Sequence, residues 1–337
     1  MTAIAVVLMV SCSHGQYQNV PRTHVAHKTN DAITIDGKAT EPAWQASEWS
    51  QSFIDIEGTK KPLYDTKVKM LWDMTYLYLL VKLEEPHVWG TLKQRDTVVF
   101  YNNDFELFMD PDGDTHNYYE FEMNSLNTQW DLFLTKPYRN HGKVLDNWDI
   151  QGLKTAVEVD GTLNDPRDTD KGWTIEMAIP WRVTTEAADH NKPPVNEFWR
   201  INFSRVNWQL DLTDGKYARK KDGEGKFLPE YNWVWSPQGV INMHEPEHWG
   251  YVFFSDTAPG QTAGFEIPKD EHIKWEMYQQ YRNLLQGQEP LQSMKILDTE
   301  IPLVLERHSM GWNLWCTSPF TKTNLIIDQD GRFTQSK

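Results

Sequence analysis

Acidic side chains dominate the chemistry open to this sequence. Between Asn102 and Asn124, Asp104, Glu106, Glu120 and Glu122 fall at alternate positions, and Asp110-Pro111-Asp112-Gly113-Asp114 lies between the two runs. Paired carboxylates such as Glu106 and Glu120 serve as acid and base in glycoside cleavage when a set distance separates them. Asp110, Asp112 and Asp114 offer the oxygen-rich donor set that a hard cation such as calcium prefers, so they are candidate metal ligands. The loop is not an EF-hand, because its glycine is at the fourth place and its twelfth place is Phe121, not a bidentate Glu. Further on, His244-Glu245-Pro246-Glu247-His248 matches the H-E-x-x-H string of zinc proteases. That chemistry needs both histidines on one helical face. Pro246 inside the motif and the strand-like Gly250-Tyr251-Val252-Phe253-Phe254 directly after it leave no room for such a helix, and a loop is expected. No G-x-S-x-G, P-loop, dinucleotide fingerprint or C-x-x-C is present.

A β-hairpin must carry the carboxylates. Phe105, Leu107 and Met109 share one face of the first run, and Tyr119, Phe121 and Met123 share one face of the second, with turn residues between. Those six are expected to face a core. The opposite face then carries Asp104, Glu106 and Phe108 beside Tyr118, Glu120, Glu122 and Asn124. Like charges on neighbouring strands repel. This face is therefore expected to hold something that offsets them: water, arginine, a cation or a hydroxyl-rich ligand.

Composition narrows the partners. With 48 acidic against 33 basic residues and a formal charge of −15 over 337 residues, the chain lacks the basic patches that nucleic acid or an anionic membrane surface selects. With 39% apolar residues and 16 Trp it can bury a sizeable core. The opening Met1 to Cys12 is an apolar run of signal-peptide length, too short for a mature membrane span. Met9-Val10-Ser11-Cys12 is similar to a bacterial lipobox, so residues 1–12 are expected to be a signal segment with Cys12 as the lipidation site. Export follows, to the cell envelope as an outer-membrane lipoprotein, with membrane contact only through the anchor. Residues 13–30 are polar and aperiodic and are expected to be a tether.

Residues 31–256 read as one antiparallel β-sandwich, jelly-roll-like in its all-β character. Expected strands are Ile33-Thr34-Ile35, Val68 to Trp72, Tyr76 to Leu83, Trp130 to Leu134, Thr155 to Val159, Trp173 to Ile179, Arg200 to Trp208, Val240 to Met243 and Trp249 to Phe254. Parity buries Trp173, Ile175, Met177 and Ile179 and leaves Glu176 on a polar face. Arg205 shares the inward parity of Ile201 and Phe203, so it is either re-aimed by a bulge or buried against a carboxylate. Residues 257–337 are expected to form a helix from Asp270 to Gln286, with Ile273, Met277, Tyr281, Leu284 and Leu285 as its apolar stripe, plus a small antiparallel sheet. This unit is expected to dock on the sandwich.

Five of these stretches, in order, resemble the family 9 carbohydrate-binding modules: Ile35-Asp36-Gly37 with Glu41 and Trp44; Val68 to Asp73 with Tyr76-Leu77-Tyr78; Asn103 to Asp110; Gly172 to Trp181; and Trp199 to Arg205. The likeness covers about residues 30–255. It implies a β-sandwich that binds sugars, often at a chain's reducing end between two tryptophans, with structural calcium. One stacking position falls at Tyr101, and the other falls at Met243, which cannot stack as an aromatic does. An arginine of the family falls at Glu122, reversing the charge, while Glu106 and Asn124 match. The expected function is non-catalytic carbohydrate binding, accessory to polysaccharide use, by Tyr101, Glu106, Glu120, Asn124, Arg205, Trp235 and His244. The alternatives are glycoside cleavage by paired carboxylates on the same face, haem held through Met243 and His244, or a structural assembly role.

Overall fold

The computed structural model describes residues 19–188 and 190–336. The signal segment and Cys12 lie outside the described residues. The first part of the chain supplies β1 (Thr23–Lys28), a short helix α1 (Pro42–Ala46), β2 (Ile54–Asp55), β3 (Thr66–Trp72), β4 (Tyr76–Glu84), β5 (Asp104–Asp110), β6 (Tyr118–Asn124), β7 (Gln129–Leu134) and β8 (Val144–Leu145). There follow β9 (Lys154–Asp160), β10 (Gly172–Pro180), β11 (Phe198–Asn207), β12 (Leu210–Thr213), β13 (Lys216–Arg219), β14 (Tyr231–Val234) and β15 (Gly250–Ser255). Eleven of these strands run in the order β8-β7-β6-β5-β11-β15-β1-β3-β4-β10-β9, with β14 and β2 branching from β11. Side chains of β5, β6 and β11 and of β3, β4 and β10 enter one core, so the sheet curls over on itself as a sandwich.

Strand parity explains why these residues bury. Phe105, Leu107, Met109, Tyr119, Phe121 and Met123 are all in that core, as the period-two pattern requires. So are Trp173, Ile175, Met177 and Ile179 of β10. Each such side chain contributes about 1.5–3 kcal/mol on burial. Glu176, on the other face of β10, accepts hydrogen bonds from the backbone of Asp36 and Gly37 and from Trp44 Nε1 (2.9, 2.7 and 2.9 Å). This carboxylate holds the Ile35-Asp36-Gly37 segment, which turns through a bend and joins no ladder, contrary to the strand expected there. Gly37 has φ +86°, and a Cβ on it would meet the Glu158 backbone nitrogen at 2.9 Å, so only glycine passes there.

Three expectations need correction. Residues 23–28 are not tether but a strand at the middle of the sheet, pairing parallel with both β15 and β3, so the sandwich is not purely antiparallel. Among residues 23–28 only Ala26 and His24 point into dense packing, so no apolar alternation marked the strand; Trp72 Nε1, donating to the Ala26 and Ser255 carbonyls, ties it down. Val240 to Met243 is loop, and the strand in this region is Tyr231–Val234 instead.

The carboxyl-terminal unit is a helix, α2 (Lys269–Leu285), packed on strands β16 (Ser293–Ile296), β17 (Thr299–Pro302), β18 (Val304–His308), β19 (Gly311–Thr317), β20 (Asn324–Asp328) and β21 (Phe333–Ser336). Ile273, Met277 and Tyr281 are buried in its own core, Leu284 half-buried, and Leu285 exposed. The other side of α2 is polar and buried on the sandwich. There Glu271 accepts from Tyr251 Oη at 2.7 Å and pairs with Arg200 at 3.4 Å, Trp275 Nε1 donates to Tyr251 Oη at 2.9 Å, and Arg282 pairs with Glu247 at 2.6 Å.

Candidate functional site

The non-core face of β7, β6, β5, β11 and β14 carries one transverse row of side chains. Cross-strand register sets Trp130 opposite Glu122, Glu122 opposite Glu106, Glu106 opposite Ser204, and Ser204 opposite Val234. Asp104, one step along β5, stands opposite Asn124, and Glu120 stands opposite Phe108. One oxygen from each of Asp104, Glu106 and Glu122 lies within 4.8 Å of the others. All four carboxylates are buried. The turn Val99–Tyr101 packs against β6 with the Phe100 backbone at Glu122, which brings Tyr101, 49% exposed, to the rim.

Burial is the main influence on these acids and raises every one above the ordinary carboxylate range, Glu106 to about 7. Glu106 is the next cause at Asp104, Glu120 and Glu122. Asp104 Oδ2 and Glu122 Oε2 are buried without a hydrogen-bond partner, and the buried Ser204 Oγ has only Glu106, whose pKa it acts to lower. Leaving such an atom unmet costs about 1–3 kcal/mol, so orphans gathered at one place make this face a candidate site.

His244 joins this face from its loop. Its Nδ1 is 2.7 Å from Tyr118 Oη, its Nε2 is 3.8 Å from Glu120, and Tyr138 packs edge-on against the ring at 4.4 Å. Burial lowers its pKa to about 3, with Arg139 adding to the effect, so the imidazole is neutral and gives Glu120 no countercharge. The metalloprotease alternative is absent in geometry: Pro246–His248 is a single 3-10 turn, and His248 faces Glu245 at 3.3 Å. Met243 is buried with Trp249, Phe108 and Tyr118 in a small apolar cluster, a packing role and not a haem ligand's open position.

Three expected members stand elsewhere. Arg205 points through the other side of β11, where it donates to Thr66, to the Glu84 carbonyl and to Asn207 and pairs with Glu85 at 3.3 Å. The buried-arginine option holds, with Glu85 as partner and not the glutamate face. Trp235 is core, packed on Phe203 and His24. Asn124 spends its amide on the turn: Nδ2 donates to the Leu92 carbonyl and Asn102, and Oδ1 accepts from Leu126 and Thr128. Sequence parity had already put Asp104 and Glu122 on the face; Ser204 and Trp130 were missed because only the β5–β11 and β6–β7 registers bring them into the row.

A cleft of about 220 Å³ opens over Glu85 between Tyr64, Tyr231 and Trp208. Its polar groups are already matched: Asn103 donates to Glu85 and accepts from Trp208 N, Trp173 Nε1 donates to Glu85 at 2.8 Å, and Arg205 donates to Asn207 at 3.0 Å. The acidic row, with its orphaned atoms, is the better candidate.

At the hairpin tip, Asp110, Asp112 and Asp114 also bring oxygens within 4.8 Å of one another. Asp110 already accepts from the Gly113 and Thr115 backbone at 3.0 and 2.9 Å. Lys274 Nζ donates to the Gly113 carbonyl, and Arg332 Nε donates to Asp114 at 2.7 Å.

A family model described as carbohydrate family 9 binding domain-like matches residues 35–207, just over half of the chain. The chain belongs to that family. A stretch amounting to 44% of this family 9-like chain is 25% identical to endo-1,4-beta-xylanase A of Thermotoga maritima, and it covers 12% of that enzyme's length. A putative carbohydrate-binding protein of Bacteroides uniformis superimposes with a TM-score of 0.51 at 16% identity, over 69% of this chain and 99% of that one. It shows the fold. A family 9 module of Caldicellulosiruptor kristjanssonii solved with cellotriose matches at TM-score 0.44 and 15% identity, over 73% of this chain and all of that one.

Proposed function

We propose that this chain binds a carbohydrate, without chemistry, on the acidic row between Tyr101 and Trp130. The observation that supports this most is the pair of orphaned carboxylate oxygens of Asp104 and Glu122 beside the buried Ser204 hydroxyl, with the exposed Tyr101 and the half-buried Trp130 on either side. A sugar offers hydroxyls to the first and a ring face to the second. The modules solved with cellotriose and glucose belong to the same family, which adds to the reading. Cleavage is disfavoured: Glu106, Glu120 and Glu122 stand on one face of two adjacent strands, whereas a glycosidase sets its two carboxyls on either side of the bond it breaks.

A glycan-array and calorimetric screen on residues 20–337 tests this, with Tyr101→Ala and Glu106→Ala as controls. Binding that both substitutions abolish is the expected result. Binding that survives both, or no binding to any glycan, overturns it. We further infer export and lipid attachment at Cys12, accessory to polysaccharide use; a Cys12→Ala protein that still fractionates with membrane would count against the anchor. Lys274 and Arg332 supply the charge that the Asp110–Asp114 loop requires, and an ammonium stands on the loop's own carbonyl. That donor set does not fit the family's structural calcium, and we read the loop as the docking point of the carboxyl-terminal unit.

A further inference from the structure

We propose that Asp104, Glu106 and Glu122, with Ser204 beside them, bind one calcium ion at the base of the acidic row, and that the ion's open positions take vicinal hydroxyls of the sugar. The last step rests on the carbohydrate reading; the cation site itself does not.

Geometry carries the inference. Oxygens that ligate one calcium at about 2.3–2.6 Å lie no more than about 5 Å from each other. The three carboxylates meet that limit, with one oxygen each inside 4.8 Å. All three are buried at 7% exposure or less on paired neighbouring strands. Asp104 Oδ2 and Glu122 Oε2 have no partner, and Ser204 Oγ, a fully buried hydroxyl directly opposite Glu106, meets no protein group other than that carboxylate. That hydroxyl is a fourth oxygen donor and an observation separate from the acids themselves.

Charge points the same way. Among the described residues these acids have no ion pair with Lys or Arg; Arg205, the nearest candidate from sequence, is committed to Glu85 across the sheet. Three buried carboxylates with no ion pair are costly, and a divalent cation meets them in kind. Calcium suits better than magnesium, because it accepts six to eight oxygens in irregular geometry, whereas magnesium demands a tight octahedron and keeps its waters. Four donors from the protein leave calcium room for two or more sugar hydroxyls. Trp130 and Tyr101 then hold the ring whose hydroxyls reach the ion.

The test uses the full chain, stripped with chelator and dialysed. Calorimetric titration with calcium chloride should show one site, weakened at least tenfold in both Glu122→Gln and Asp104→Asn and unchanged in Asp112→Asn. Both amide variants keep side-chain volume, and melts in chelator check that each is folded; two independent variants keep the result decisive if one is not. No calcium binding, or binding lost in Asp112→Asn and kept in Glu122→Gln, overturns the site. Glycan titration then follows, with chelator and with calcium. Sugar binding abolished by chelator and restored by calcium supports the bridge. Sugar binding indifferent to chelator overturns the bridge and leaves the carbohydrate reading standing. Calcium bound with no glycan recognised overturns the carbohydrate reading and leaves the cation site.

Discussion

Glu106 and Glu122 stand directly opposite one another on adjacent antiparallel strands, both buried, with Ser204 and Trp130 as their neighbours along the row. Opposed like charges on a sheet are unfavourable even in water. Here burial raises both above the ordinary carboxylate range.

Stability in chelator follows from the sign of that shift. A carboxyl whose pKa is raised in the folded state takes up protons on folding, so its contribution is fully present below the unfolded value and is lost as pH rises through the folded value. For Glu106 the window runs from 4.5 to about 7. Glu122→Gln is therefore expected to raise the unfolding free energy at pH 8 by about 1 kcal/mol or more, seen as a higher melting point, and to change little at pH 4. Equal effects at both pH values would contradict it.

His244 is buried against Tyr118 and Tyr138, and its pKa of about 3 leaves it neutral through the physiological range. Carbon-13 labelled histidine followed by NMR should show its ring signal unmoved between pH 8 and pH 5. A midpoint near the ordinary 6.5 would mean that His244 pairs with Glu120 as a cation, and the neutral assignment would fail.

Aromatic residues on the two faces should separate binding from folding. Trp235 is 1% exposed in the main core, so Trp235→Ala should cost about 3–5 kcal/mol in a denaturant melt. Tyr101 is 49% exposed, and Tyr101→Ala should leave the unfolding free energy within about 0.5 kcal/mol. Comparable losses at the two positions would show that Tyr101 is structural.

These contrasts also show how far the sequence was readable. Strict alternation in Asp104 to Asp110 and Tyr118 to Asn124 revealed both the core face and the acidic face, because in a strand parity alone decides which side a residue takes. Parity does not reveal register. Trp130 and Ser204 entered the row only through pairing with strands far along the chain, and Arg205 found Glu85, which lies outside every strand near it in sequence. Thr23–Lys28 escaped notice because backbone ladders and the Trp72 indole, not an apolar stripe, hold it. Trp235 and Asn124 were of the right type for sugar binding, but one had been claimed by the core and the other by its turn.

Docking of the carboxyl-terminal unit yields the last prediction. Lys274 is almost fully buried on α2, its Nζ donating to the Gly113 carbonyl and its charge facing Asp110 and Asp112. Removing one member of a buried charged set strands the others, at a cost of about 3–5 kcal/mol. Lys274→Gln should therefore destabilise the full chain by a few kcal/mol and loosen α2 from the hairpin tip. Asp112→Asn removes part of the charge that the ammonium offsets, so on its own it should cost far less. In the Lys274→Gln background Asp112→Asn should restore stability, because the remaining acids no longer repel without a countercharge. A double-mutant cycle by urea melts measures that coupling, expected at about 0.5–3 kcal/mol. Strict additivity would show that Lys274 acts through packing alone, and the hairpin tip would then have no electrostatic part in holding the two units together.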